Sequence, residues 1–210
     1  MQTITVDTIY LDIDDVCNTF TMYVLNFLGA SVSQTNYREH PATPGYGIVA
    51  EANKLLGENF TDEYFWSRIP RYVWANCPES EEYRQLLDAC FACVGTNNVF
   101  FATKPTNDPN CAAGKVEWIQ NHSPQWMRSH YFLTPYKHHL SRAGVLLIDD
   151  RDRNCQQFRE YGGEAIMMPR PWNNCRDLSW KVCVIGRLRQ LEYLTSGRKA
   201  AQSEETVTFD

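Results

Sequence analysis

At 210 residues, with 43% apolar and 21% charged residues, the chain has the composition of a soluble globular protein that can bury a substantial core. A formal net charge of -5 with no Lys/Arg cluster excludes a nucleic-acid backbone as the main partner. No run approaches the roughly 18 apolar residues needed to span a bilayer. The first residues also lack a basic segment followed by an apolar signal core, so a cytoplasmic location is expected.

Thr8–Ile13 reads as a strand that runs into Asp12 and Asp14. Residues two apart on a strand share a face, so two carboxylates meet at its end, where each raises the pKa of the other. A cation nearby relieves that repulsion, although a lone Asp-x-Asp is more often a solvated acidic turn. A helical stretch follows from about Thr19 to Leu28. The stretch 14–98 is far longer than one crossover helix requires. It contains Thr43-Pro-Gly-Tyr-Gly47, a helical Ile48–Leu56 and the aromatic group Tyr64, Phe65, Trp66, Tyr72 and Trp74. It reads as an inserted helical subdomain. Cys90 and Cys93 sit in a helical Tyr83–Cys93. No second pair stands at matching spacing, so they read as buried thiols, and the eight cysteines as reduced.

Val99–Ala102 is a second strand, Cys111–Asn121 a helix, and Tyr131–Leu133, Val145–Ile148 and Glu164–Met168 further strands. Leu178, Val182, Ile185, Leu188, Leu191 and Leu194 mark the apolar face of a last helix, and the tail from Ser196 is polar and expected to fray. Strands alternating with helices predict a parallel sheet with right-handed crossovers. In such sheets ligands bind at the carboxyl ends of the strands. The first strand ends at Asp12 and Asp14, the second at Thr103, and the fourth at Asp149 and Asp150, while Lys115 opens the helix after the second. Each has a dull explanation alone; at successive strand ends, chance is a poor one. The adjacent His138 and His139 do not face one site and read as surface.

The pattern resembles the haloacid dehalogenase superfamily of phosphohydrolases. Asp12-Ile-Asp-Asp-Val16 is similar to its first motif, Thr103 to the second, Lys115 to the third and Asp149-Asp150 to the fourth. Within it the chain looks most like the 5'(3')-deoxyribonucleotidases, on Lys115-Val-Glu-Trp118, Leu147-Ile-Asp-Asp-Arg151 and Pro171-Trp-Asn173. In the second motif Lys104 stands where many relatives carry Ser or Ala.

The resemblance implies an α/β fold with a Rossmann-like parallel sheet flanked by helices and a small helical cap inserted after the first strand. Residues 1–18 and 96–195 would form the core, 19–95 the cap and 196–210 a flexible tail. It implies Mg2+-dependent hydrolysis of nucleoside monophosphates through an aspartyl-phosphate. Asp12 would be the nucleophile and Asp14 the acid and base. Thr103, Lys104, Lys115 and Lys137 would bind phosphate; Lys137 competes with Lys115 for the third-motif role, with Lys115 favoured and Lys137 then an additional contact. Asp12, Asp149 and the Asp14 carbonyl would hold Mg2+, with Asp150 ligating through water or orienting the others. Phe65, Trp66 or Trp74 would stack on a base if these rings do more than hold the cap together. The partner is then a small phosphate ester, with neither membrane nor nucleic-acid polymer involved, and a homodimer stays open. Two other readings remain: a phosphatase for another small ester such as a sugar phosphate, and a non-catalytic binding protein on the same fold.

Overall fold

The computed structural model describes residues 5–33 and 47–194. The tail from 196, and the Thr43-to-Tyr46 part of the Gly/Pro stretch, lie outside the described residues. Five strands form one all-parallel sheet: β1 (Thr8–Leu11), β2 (Val99–Thr103), β3 (Tyr131–Leu133), β4 (Val145–Asp149) and β5 (Glu164–Met167). Their order is β3-β2-β1-β4-β5, with Ile9 beside Val99 and Leu146, so the first strand is central. Strands covered on both faces need near-continuous apolar runs, and Val145 to Ile148 shows one, every residue buried.

The helices are α1 (Phe20–Phe27), α2 (Ile48–Leu56), α3 (Asp62–Ser67), α4 (Arg71–Ala75), α5 (Tyr83–Val94), α6 (Pro109–His122), α7 (Asp152–Glu160) and α8 (residues 180–194). The period-two alternation of the strands divides the core. Ile9, Leu11, Val99, Phe101, Leu146 and Ile148 join Leu86 and Cys90 of α5, Trp118 and Ile119 of α6, and Val184, Leu188 and Leu191 of α8. On the opposite side Val145, Leu147 and Ala165 pack with Cys155 and Phe158 of α7. Helices α1 to α5 all lie between the first two strands; α5 packs on β1 and β2, while α4 lies along α6.

Two expected boundaries differ. β1 stops at Leu11: Asp12 N–H still donates to the Ile148 carbonyl at 3.0 Å, but the Ile13 carbonyl then accepts from Val16, Cys17 and Asn18, closing a tight turn. Asp12 and Asp14 therefore converge through a turn rather than along an extended strand. The last helix begins at residue 180 and opens with a π turn, Lys181–Gly186. The extra residue in that turn brings both Val184 and Ile185 inward. Val182, at 74% exposure, and Leu178, at 54% and before the helix starts, face solvent instead.

Candidate active site at the carboxyl edge of the sheet

Asp12 follows β1, Thr103 and Asp149 are the last residues of β2 and β4, and Asp150 comes next, so the ladder itself aims these groups at one edge. The turn after Asp12 is held by side chains. Asp15 adopts φ 58°, a left-handed conformation that non-glycine residues adopt only with local support. Its amide donates to Asn18 Oδ1 at 3.1 Å, and its carboxylate accepts from the Thr21 hydroxyl at 2.6 Å and the Thr21 amide at 2.9 Å.

Two buried lysines divide the carboxylates. Lys137, 4% exposed and delivered by the 3-10 turn after β3, lies 2.7 Å from Asp12 Oδ2 and 2.6 Å from Asp149 Oδ2. Lys115, on α6, donates to Asp14 Oδ2 at 2.5 Å and to Thr103 Oγ1 at 2.8 Å. Burial alone would lower the pKa of either ammonium, but the neighbouring carboxylates outweigh it and hold both above the usual lysine range. One turn on from Lys115, the fully buried Trp118 donates from Nε1 to the Cys77 carbonyl at 2.7 Å, fixing the face of α6 that carries the lysine.

Asp12, Asp149 and Asp150 form the acidic cluster, with one oxygen from each within 4.8 Å of the others. Asp149 also accepts from the Arg151 amide at 2.9 Å and from the Asn154 amide at 3.0 Å on both oxygens. Burial pushes the Asp150 carboxyl well above the usual range, with Asp149, Asp15 and Asp12 adding to it and Arg151 opposing. Three buried carboxylates facing one point, with oxygen donors only, fit a hard divalent cation such as Mg2+. The cation would supply the positive charge that Lys137 alone does not.

The remaining predicted positions are spread around this edge. Lys104 is exposed at the start of the loop after β2. Trp74 is buried, and its ring lies 5.4 Å below the Lys115 ammonium. Phe20 stacks on Trp74 at 4.4 Å and Trp66 lies 5.8 Å from Trp74, making a three-ring stack. Trp66 is partly exposed, whereas Phe65 is fully buried and meets Trp66 edge-on at 4.9 Å. His138 is half-buried and His139 exposed, among Tyr136 and Tyr161. The sequence reading missed Phe20, Asn18 and Asn154. Only Asn154 left a signal, as an amide in the first turn of a helix four residues after Asp150.

A family model described as 5' nucleotidase, deoxy (pyrimidine), cytosolic type C protein matches residues 6–182. Solved structures with a similar chain path include a haloacid dehalogenase family hydrolase from Deinococcus radiodurans (TM-score 0.49, 10% identity, 89% of each chain covered). A haloacid dehalogenase-like protein of unknown function from Agrobacterium tumefaciens gives TM-score 0.47 and 10% identity over 95% of this chain and 99% of that one. The L-2-haloacid dehalogenase of Xanthobacter autotrophicus gives 0.46 and 8%, over 78% of each. No curated protein matches at a significant level.

Proposed function

The chain belongs to the deoxy (pyrimidine), cytosolic type C family of 5' nucleotidases, and on that premise we propose that it hydrolyses deoxypyrimidine nucleoside monophosphates through an aspartyl-phosphate on Asp12. The observation that carries this reading is the bridge from Lys137 to both Asp12 and Asp149. It fixes the Asp12 carboxylate beside the acidic cluster while Asp14 waits on the other lysine.

In the first step an oxygen of Asp12 bonds to phosphorus as the ester P–O bond breaks, and Asp14 gives its proton to the departing sugar oxygen. In the second, Asp14 takes a proton from a water that attacks the aspartyl-phosphate, returning Asp12 and releasing phosphate. Lys115 shares the edge with Asp14 and Thr103, so its ammonium and the Thr103 hydroxyl meet the charge on the phosphoryl oxygens. Lys104 adds a more distant positive charge. From its contacts, Lys137 takes the third-motif role of pairing the nucleophile with the fourth motif, and Lys115 that of phosphate contact. Asp12, Asp149, Asp150 and the Asp14 carbonyl would hold Mg2+, which supplies charge neutralisation for the carboxylates and the phosphate.

Of residues 19–95, expected as the cap over residues 1–18 and 96–195, the part before α5 acts as the cap. Within this segment α5 packs on the sheet, which leaves α1, α3 and α4 to present rings. Trp66, the partly exposed ring of this group, offers the face on which the base stacks, with the buried Phe20, Trp74 and Phe65 packed behind it. The family's cytosolic designation supports a cytosolic location; among the described residues no helix is long and apolar enough to cross a membrane.

Phosphate release with Mg2+ from deoxy- and ribonucleoside monophosphates, sugar phosphates and an aryl phosphate tests the reading, with Asp12→Asn as control. The expected result is a deoxypyrimidine preference that Asp12→Asn abolishes without loss of fold. Release from the aryl phosphate alone would overturn the nucleotide assignment, and near-normal turnover by Asp12→Asn would overturn the nucleophile.

A further inference from the structure

The string Arg170-Pro-Trp-Asn173 follows β5 and ties three parts of the site together. Trp172 is buried, and its indole Nε1 donates to Asp150 Oδ2 at 2.7 Å. Asn173 donates to the carbonyls of Asp150 at 2.9 Å and Met168 at 2.7 Å, and its Oδ1 accepts from the Arg170 amide at 3.3 Å and the Cys175 amide at 3.1 Å. Arg170 donates from Nε to the Asp15 carbonyl at 2.5 Å and pairs with Glu82 at 3.3 Å. The loop therefore braces the end of β4 against the Asp14–Asp15 turn and the start of α5.

We propose that Trp172 is a positioning residue for the cation site, its indole N–H fixing the Asp150 carboxylate so that Asp12, Asp149 and Asp150 converge on one divalent ion. The proposal rests on the cation reading given above. The terminal torsion of an aspartate is broad, so a buried carboxylate needs a donor to choose its orientation. An indole N–H does this without positive charge, so it orients Asp150 without competing with the ion. The Asn154 amide acts in the same neutral way on Asp149, while the Arg151 guanidinium stands farther off, at 3.9 Å from Asp150. Partners of this kind on metal-binding groups typically set affinity by about 10–100-fold.

The test is Mn2+ binding to the full chain, read by electron paramagnetic resonance, for the wild type, Trp172→Phe and Asp149→Asn. Trp172→Phe keeps a packed ring and removes only the donor and one ring's volume. The expected result is Mn2+ affinity weaker by about 10–100-fold, with activity lost at low Mg2+ and regained as Mg2+ rises. A merely structural tryptophan would lower the melting temperature and leave Mn2+ affinity unmoved. Folded Trp172→Phe with wild-type affinity overturns the proposal. If Trp172→Phe does not fold, β-(3-benzothienyl)alanine at position 172, which exchanges N–H for sulfur at nearly constant shape, is read by the same criterion. Wild-type protein that binds no Mn2+, with Asp149→Asn indistinguishable from it, overturns the cation reading itself.

Discussion

Lys137 and Lys115 are both buried lysines paired with carboxylates, yet they are not equivalent. Lys137 neutralises Asp12 and Asp149, both buried, and the Asp149 side chain is wholly inaccessible. Lys115 pairs with Asp14, whose side chain is 23% exposed and still reaches water. Removing one partner of a buried pair costs about 3–5 kcal/mol because the other charge is stranded. Lys137→Met should therefore destabilise the metal-free protein by about that amount in urea unfolding. Lys115→Met should cost clearly less, since solvent rescues Asp14. Mg2+ should recover more stability in Lys137→Met than in the wild type, because the ion meets the same stranded carboxylates. Equal losses in the two variants would show that burial does not rank them. At this scale the sequence marked the acidic residues because they follow apolar strands, and both lysines because they fall in the segments between those strands. Lys115, expected to open its helix, stands in the second turn of α6. The sequence could not say which lysine meets which aspartate. That depends on the short turn after β3, which carries no periodic signal.

Between elements, the tightest contact joins α4 to α6. A Cβ on Gly114 would stand 2.4 Å from Trp74 Cβ and 2.7 Å from the Arg71 carbonyl. Neither atom can swing away as the end of a flexible side chain would, so Gly114→Ala must push the helices apart. Overpacking of this kind costs about 1–3 kcal/mol. It should also raise KM for nucleotide, because Trp74 moves with α4 away from Lys115. Gly186 offers the contrast: the nearest atom to its added Cβ is the Lys181 carbonyl at 3.7 Å. Gly186→Ala should be neutral or stabilising by up to about 1 kcal/mol, since alanine restricts the unfolded chain. Thermal and urea unfolding of the two variants side by side checks both. The strands were legible to within a residue or two because β1, β2 and β4 are apolar runs ending in polar residues. The inward face of α8 was legible at Ile185, Leu188 and Leu191 but not at its start, where a 3.6-residue period cannot register a π turn and Val184 replaces Val182. Nor was Phe20, which looks like any apolar residue of α1 until it meets Trp74.

For the molecule as a whole, the cysteines report how cooperatively the layers hold. Cys17, Cys77, Cys90, Cys93 and Cys111 are buried on the side of the sheet covered by α5 and α6, and Cys155 on the side covered by α7. Cys175 and Cys183 are half-buried. Burial pushes the Cys17, Cys77 and Cys90 thiols well up, and Cys93 to about 11. Since the thiolate is the reactive form, these groups are protected both by access and by protonation. An aromatic disulfide reagent at pH 8 should therefore modify at most Cys175 and Cys183 quickly in the native protein. The other six should wait for opening of the structure, at rates that report the free energy of that opening. If the two layers unfold as one unit, Cys155 should be released together with Cys90. A faster Cys155 would mean that α7 opens alone, and with it the helix that carries Asn154 against Asp149. In that case raising Mg2+ should slow Cys155 selectively, because an ion on Asp149 and Asp150 would favour the closed form from which α7 departs.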